Sequence, residues 1–247
     1  MLDPAAPQLV VNARVLLFSW QPADPDAVAA ILPAGLLPCP DRQVFLCQYV
    51  VDDDCQTSGF GAYSLTYLGI SLVGMDPPDG DGPGGWWSHY FASSPRVREY
   101  AAARGVPAQA GQTTVEVRGD RLTTETRADG RPIIRTVARV GQTSHRVCSG
   151  HHRYLTGRDG ELTSADYPYV AEPVTPFEIE SVEFLAPEHP VYPLRPANPL
   201  NICWGFYSPR VSFAYPAGPN ALDEPPAAEP VHQAPARRAR SGLPSGS

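Results

Sequence analysis

The chain has 247 residues, with 19 lysines and arginines together, and every one of those 19 is arginine. The lack of lysine removes one chemistry: no side-chain amine can condense with a carbonyl substrate, and arginine, with its very high pKa, is no substitute. A long apolar run is missing too, and the opening MLDPAAPQLVVNARVLLFSW has neither a basic leader region nor a small-residue cleavage site. A cytoplasmic protein with no membrane partner is therefore expected. The five cysteines (Cys39, Cys47, Cys55, Cys148 and Cys203) are odd in number and show no CxxC spacing, which reads as reduced thiols. No GxSxG, HExxH, Walker or GxGxxG pattern occurs, so serine-hydrolase, metalloprotease and nucleotide-binding readings have no support. Basic clusters are absent before the tail and the net charge is −7, so a nucleic-acid partner is not expected.

What the chain does have is proline and glycine, 29 and 21 residues, which argue for many short strands broken by turns. With 43% hydrophobic and 18% charged residues, it can bury a sizeable core. Strands are expected over 8–20, 43–51, 62–74, 86–92, 112–118, 121–127, 132–140, 176–186 and 202–215. Asp24 followed by Pro25 opens one short helix that Pro33 stops. Gly119–Asp120 and Asp129–Gly130 are hairpin signals. The fold class is mainly β (α+β), with a single domain over 1–215. From 216 to 247 the chain is rich in Pro, Ala and Arg and lacks aromatics, and it reads as a disordered tail. The preference for arginine, with abundant Ala, Pro and Gly, is what a GC-rich bacterial genome is expected to give.

Several segments, in order, resemble the acetoacetate decarboxylase family. They are Asn12-Ala13-Arg14 ahead of the DPDAVAAILP helix; Ser58-Gly59-Phe60-Gly61-Ala62-Tyr63; Gly85-Trp86-Trp87-Ser88-His89; Arg98-Glu99-Tyr100; Gly105 to Gly111; the hairpins of 115–139; and the final SPRVSFAY. The resemblance implies a closed or nearly closed β-barrel or cone with a few short outer helices and the site in its hollow. Family decarboxylases carry Pro-Lys-Lys, the first lysine forming the Schiff base, where this chain reads Pro107-Ala108-Gln109. They also place a glutamate two residues after the tyrosine of Ser-Gly-x-Gly-x-Tyr, where this chain has Leu65.

Arg14 matches the family's substrate-contacting arginine. Its planar fork suits a carboxylate, β-dicarbonyl or enolate oxygen, the alternative being a pair with a surface acid. Tyr63 carries a hydroxyl that donates either to a developing oxyanion or to a structural hydrogen bond. His89 is a candidate general acid or base, the alternative being core packing. On a regular strand Trp87 and His89 share one face, with Trp86 and Tyr90 on the other. Leu65, Trp86, Trp87 and Gln109 are the candidate substrate-binding residues. No metal is expected, because the acidic loop Asp76–Gly85 lacks EF-hand spacing and a strand would send His145 and Cys148 to opposite faces.

These readings converge on an enzyme that works without a covalent lysine and needs no cofactor. It would be a cyclase or lyase acting on a carbonyl-rich or polyketide-like small molecule in an aromatic-lined pocket, with Arg14, Tyr63 and His89 in catalytic roles. A small-molecule carrier on the same fold and a lysine-independent decarboxylase are the alternatives. A homo-oligomer is left open.

Overall fold

The structure, a computed structural model, describes residues 2–41, 43–77, 84–158, 160–218 and 220–221. In chain order the strands are β1 (Gln8–Trp20), β2 (Val44–Val51), β3 (Tyr63–Ser71), β4 (Gly85–Ala92), β5 (Ala108–Ala110), β6 (Gln112–Arg118), β7 (Arg121–Ala128), β8 (Arg131–Thr143), β9 (Cys148–Arg158), β10 (Glu161–Ala171), β11 (Val174–Phe184), β12 (Ile202–Tyr215) and β13 (Asn220–Ala221). Two helices interrupt them, α1 (Pro25–Ala29) and α2 (Pro95–Ala102). Asp24 caps α1 by accepting the Ala27 N–H at 3.0 Å, as its sequence signal requires. Helix α2 starts on a Ser94 cap and was not expected; its short length and interleaved Arg98 and Glu99 leave only Val97, Tyr100 and Ala101 buried.

Strands β12, β1, β2, β3, β4, β9 and β10 pair in that order, and β10 returns to β12 over Tyr169–Ala171, closing a seven-stranded barrel. This is the closed barrel with short outer helices that the sequence implied. Strands β9 and β10 were not expected as a pair. The polar run CSGHHRYLTGR and Pro168 within β10 hide a strand pattern, yet His152, Tyr154, Tyr167 and Tyr169 all point into the barrel core. A second, four-stranded sheet, ordered β11-β8-β7-β6, packs on the barrel's outside.

Period-two alternation divides the barrel strands between these two environments. Val15, Leu17, Phe45, Cys47, Tyr49, Leu65 and Tyr67 belong to the interior core, whereas Leu16, Phe18, Leu46, Leu68 and Ile70 pack with Val115, Leu122 and Ile134 of the second sheet. Within that interlayer core lies a buried polar chain. Gln48 donates to Thr126 at 2.9 Å and accepts from Thr124 at 2.6 Å, and Thr66 meets both Thr113 and Thr126. Each of these groups is matched, so the two layers can meet only in one register.

Asn220–Ala221 add a strand beside β10, past the boundary expected at 215. The rest of the tail expectation, from 222 on, lies outside the described residues, as does most of the acidic loop at 78–83. Among the described residues no helix is long and apolar enough to cross a membrane.

Candidate functional site

The barrel interior is built from aromatic side chains that point inward from six strands, β2, β3, β4, β9, β10 and β12. Trp87 of β4 stacks face to face on Tyr154 of β9, centroids 3.9 Å apart and planes within 6°. The Tyr49 hydroxyl is 2.8 Å from that of Tyr63 and 3.2 Å from that of Tyr215, which also bonds Tyr90. On the other wall the hydroxyls of Tyr67 and Tyr167 meet at 2.8 Å, and the Cys47 thiol hydrogen-bonds Tyr67. Trp87 Nε1 donates to His152 Nε2 at 3.3 Å, which leaves the proton of the neutral imidazole on Nδ1.

Between these walls lies a chamber bordered by Cys47, Tyr49, Tyr67, His152, Tyr167 and Phe206, among others. Its free volume, measured by where the centre of a water molecule fits, is about 20 Å³, room for one water. The half-buried Phe206 stacks on Tyr169 at 6.2 Å and meets Trp204 edge-on at 5.6 Å, which makes these three rings the rim.

No Asp, Glu or Arg borders this chamber among the described residues, so its electrostatics are those of neutral dipoles in an apolar shell. Burial pushes the Cys47 thiol up to about 12 and brings His152 down to about 3. Burial also raises the Tyr49, Tyr67 and Tyr167 phenols well above their ordinary value. At neutral pH the site therefore offers protonated phenols, a protonated thiol and an uncharged imidazole. Such groups can donate to a carbonyl or enolate oxygen, and the thiol is no nucleophile in this state.

The residues expected from sequence fall in several places. Tyr63 and Leu65 lie in the same interior core as the chamber, Tyr63 one hydrogen bond behind its Tyr49 wall. Trp87 is one hydrogen bond from it through His152. Trp86 faces outward into a small cluster with Leu36, Leu72, Met75 and Leu155. His89 does not share a face with Trp87, which corrects the regular-strand reading. The β3–β4 register slips between Leu68↔His89 and Gly69↔Trp87, so Ser88 is bulged and every residue after it changes side. Trp87 and Tyr90 consequently both point inward, while His89 turns out toward Phe91 and His189. There burial brings His89 down to about 4, with His189 adding to the effect.

Arg14 also points out of the barrel, opposite to Val15. Its Nε and Nη2 donate to the two Asp52 carboxylate oxygens at 2.9 and 2.6 Å, and Nη1 donates to the Val115 carbonyl of β6. The structure thus gives Arg14 the surface-acid partner that was its alternative reading. Asp52 holds the guanidinium above its ordinary value. Gln109 is exposed, while Ala108, opposite Tyr90 in the β4–β5 pairing, packs against the interior core. Cys47, Tyr67, His152 and Tyr167 were not anticipated. The signal available for them was the alternation Cys47/Tyr49, Tyr63/Leu65/Tyr67 and His152/Tyr154.

No protein-family model and no curated protein matches the chain. Solved structures do. The chain is similar to an acetoacetate decarboxylase, with TM-score 0.63, 16% identity and 88% of each chain covered. It is similar to the enduracididine biosynthesis enzyme MppR complexed with pyruvate, with TM-score 0.61, 12% identity, and 90% and 91% of the two chains covered. It is also similar to an acetoacetate decarboxylase-like enzyme from Sphingomonas wittichii, with TM-score 0.59, 15% identity, and 90% and 94% covered. The fold is therefore that of acetoacetate decarboxylase.

Proposed function

We propose that the chain is an enzyme that acts on an uncharged carbonyl compound in the barrel chamber without covalent capture, in a cyclisation or elimination step. The observation that carries this reading is the Tyr67–Tyr167 pair, hydroxyls 2.8 Å apart at a chamber that no charged side chain borders among the described residues. Only one proton can lie between two phenols, so one hydroxyl of the pair is free to donate into the chamber. A carbonyl oxygen placed there gains negative charge as an enol carbon of the same substrate adds to the carbonyl carbon and closes a ring; the enol's own proton ends on that oxygen, and preorganised donors favour that state over the ground state. The sequence has no lysine, so an imine cannot share the task.

A substrate of several carbons needs more than the space of one water. Rotation of Phe206 off Tyr169 at the rim supplies it, and the flexible substrate is then held in one conformation by aromatic walls. A carrier function is the second reading, favoured by the depression of His152 to about 3, which leaves the chamber no base matched to neutral pH.

Incubation of the protein with linear β-diketones and polyketide-like ketones, followed by product mass spectrometry, separates the two. Consumption, with a loss of about 10²-fold or more in Tyr67→Phe, supports the enzyme. Saturable binding without consumption supports the carrier. Turnover unchanged in both Tyr67→Phe and Tyr167→Phe overturns the site.

A further inference from the structure

Outside the barrel, where α2 and the β5–β6 segment approach the β7–β8 turn, lies a second cavity of about 430 Å³, within the range of small-molecule sites. Two guanidiniums line it from different layers, Arg98 on α2 and Arg127 on β7. Arg98 is held by the Ala92 and Ser93 carbonyls, at 2.8 and 3.0 Å, which are neutral acceptors. Among the described residues no carboxylate pairs with Arg98. Arg127 is held by the Gly130 carbonyl at 2.9 Å and by Glu125 at 2.7 Å, but Glu125 is shared with Arg135 at 2.8 Å.

Arg127 and Arg135 are answered by Glu125 and by Glu183, 3.8 Å from Arg135, so Arg98 is the cation of the cleft that no carboxylate pairs among the described residues. Tethered guanidiniums lose little freedom when they bind an oxyanion, and they suit a planar carboxylate. Gly111 forms part of the lining where the layers meet most closely; a Cβ there would lie 2.8 Å from Phe91 Cβ and 2.9 Å from the Arg127 carbonyl. Asp129, in a turn with φ of +49°, and Gln112 complete the polar lining.

We propose that this cleft binds a small hydroxycarboxylic acid, with its carboxylate on Arg98 and Arg127 and its hydroxyl donating to Asp129. A carboxylate gives Arg98 the anionic partner it lacks, and a hydroxyl beside it can donate to the exposed Asp129. An ammonium donor would be repelled by the two guanidiniums, which selects a hydroxyl.

The test is calorimetric titration of the full chain with malate, with succinate, which lacks the hydroxyl, and with inorganic phosphate. Malate binds saturably at millimolar concentration or below, and succinate binds about tenfold more weakly, the loss expected for one charge-assisted hydrogen bond. Arg98→Gln weakens malate at least tenfold, Asp129→Ala abolishes the preference over succinate, and Arg118→Gln, exposed elsewhere on β6, changes nothing. If Arg98→Gln fails to fold, Arg127→Gln carries the same expectation. Three results overturn the proposal: no saturable malate binding at about 10 mM; binding unchanged in Arg127→Gln; or phosphate binding as well as malate.

Discussion

Tyr67 and Tyr167 stand 100 positions apart in sequence and meet hydroxyl to hydroxyl at 2.8 Å inside the barrel, with the Cys47 thiol on Tyr67 as well. Tyr67 therefore has two partners where Tyr167 has one. Phenylalanine at 67 should cost more stability than phenylalanine at 167, roughly 2–3 against 1 kcal/mol, because it strands both a hydroxyl and a thiol. Urea unfolding of the two variants decides it; the reverse order would mean that Tyr167 holds partners other than Tyr67.

Arg14 and Asp52 form a bidentate pair on the outside of the barrel, with side chains 31% and 52% exposed. Exposure of that degree screens the pair, so a double-mutant cycle with Arg14→Gln and Asp52→Asn should give a coupling of about 1 kcal/mol or less. The same Arg14→Gln variant should keep wild-type turnover or ligand binding, since the guanidinium lies on the face of β1 opposite the chamber. Loss of ligand in that variant would move the site out of the barrel.

Acid should destabilise the fold through two buried imidazoles. His89 and His152 drop from 6.5 to about 4 and about 3 on folding. A base whose pKa is depressed in the folded state binds more protons when unfolded. Its stabilising effect is thus complete above pH 6.5 and is lost as the pH falls toward 4 for His89 and 3 for His152. A tenfold loss of proton affinity on folding corresponds to about 1.4 kcal/mol, so the pair accounts for a few kcal/mol by pH 4. Melting curves between pH 7 and pH 4 should show this slope, and His152→Gln should flatten it.

The Gln48 side chain joins the barrel to the second sheet through Thr124 and Thr126. Gln48→Leu should cost about 3 kcal/mol, since it leaves buried threonine hydroxyls short of partners. Gln142→Leu, at an exposed position of β8, should stay within about 0.5 kcal/mol. Equal effects in chemical denaturation would mean that the polar chain does not fix how the layers meet.

Much of this architecture was legible in the sequence, because local chemistry dictates it. The alternation of β1, β2 and β3 and the turns at Gly119–Asp120 and Asp129–Gly130 follow from short-range preferences. Asp24 before Pro25 predicts its helix for the same reason. Sidedness was less legible. One bulged residue, Ser88, reverses the face of His89, and no local signal marks it. The outward turn of Arg14 depends on β6 and Asp52, which are distant in sequence. The chamber escaped because two of its groups lie on β9 and β10, whose histidines, arginines and Pro168 suggest loop until barrel closure buries alternate residues.

Arg104 is 3% exposed, and its guanidinium donates to the hydroxyls of Tyr100 and Tyr154 and to the carbonyls of Pro4 and Pro216. One cation therefore fastens the stretch that enters the first strand to the stretch that leaves the twelfth. Trimming to the span of β1 to β12, residues 8–215, would strip two oxygens from a charge sealed away from solvent. The smallest stable version of this protein must accordingly begin at or before residue 4 and run at least through residue 216.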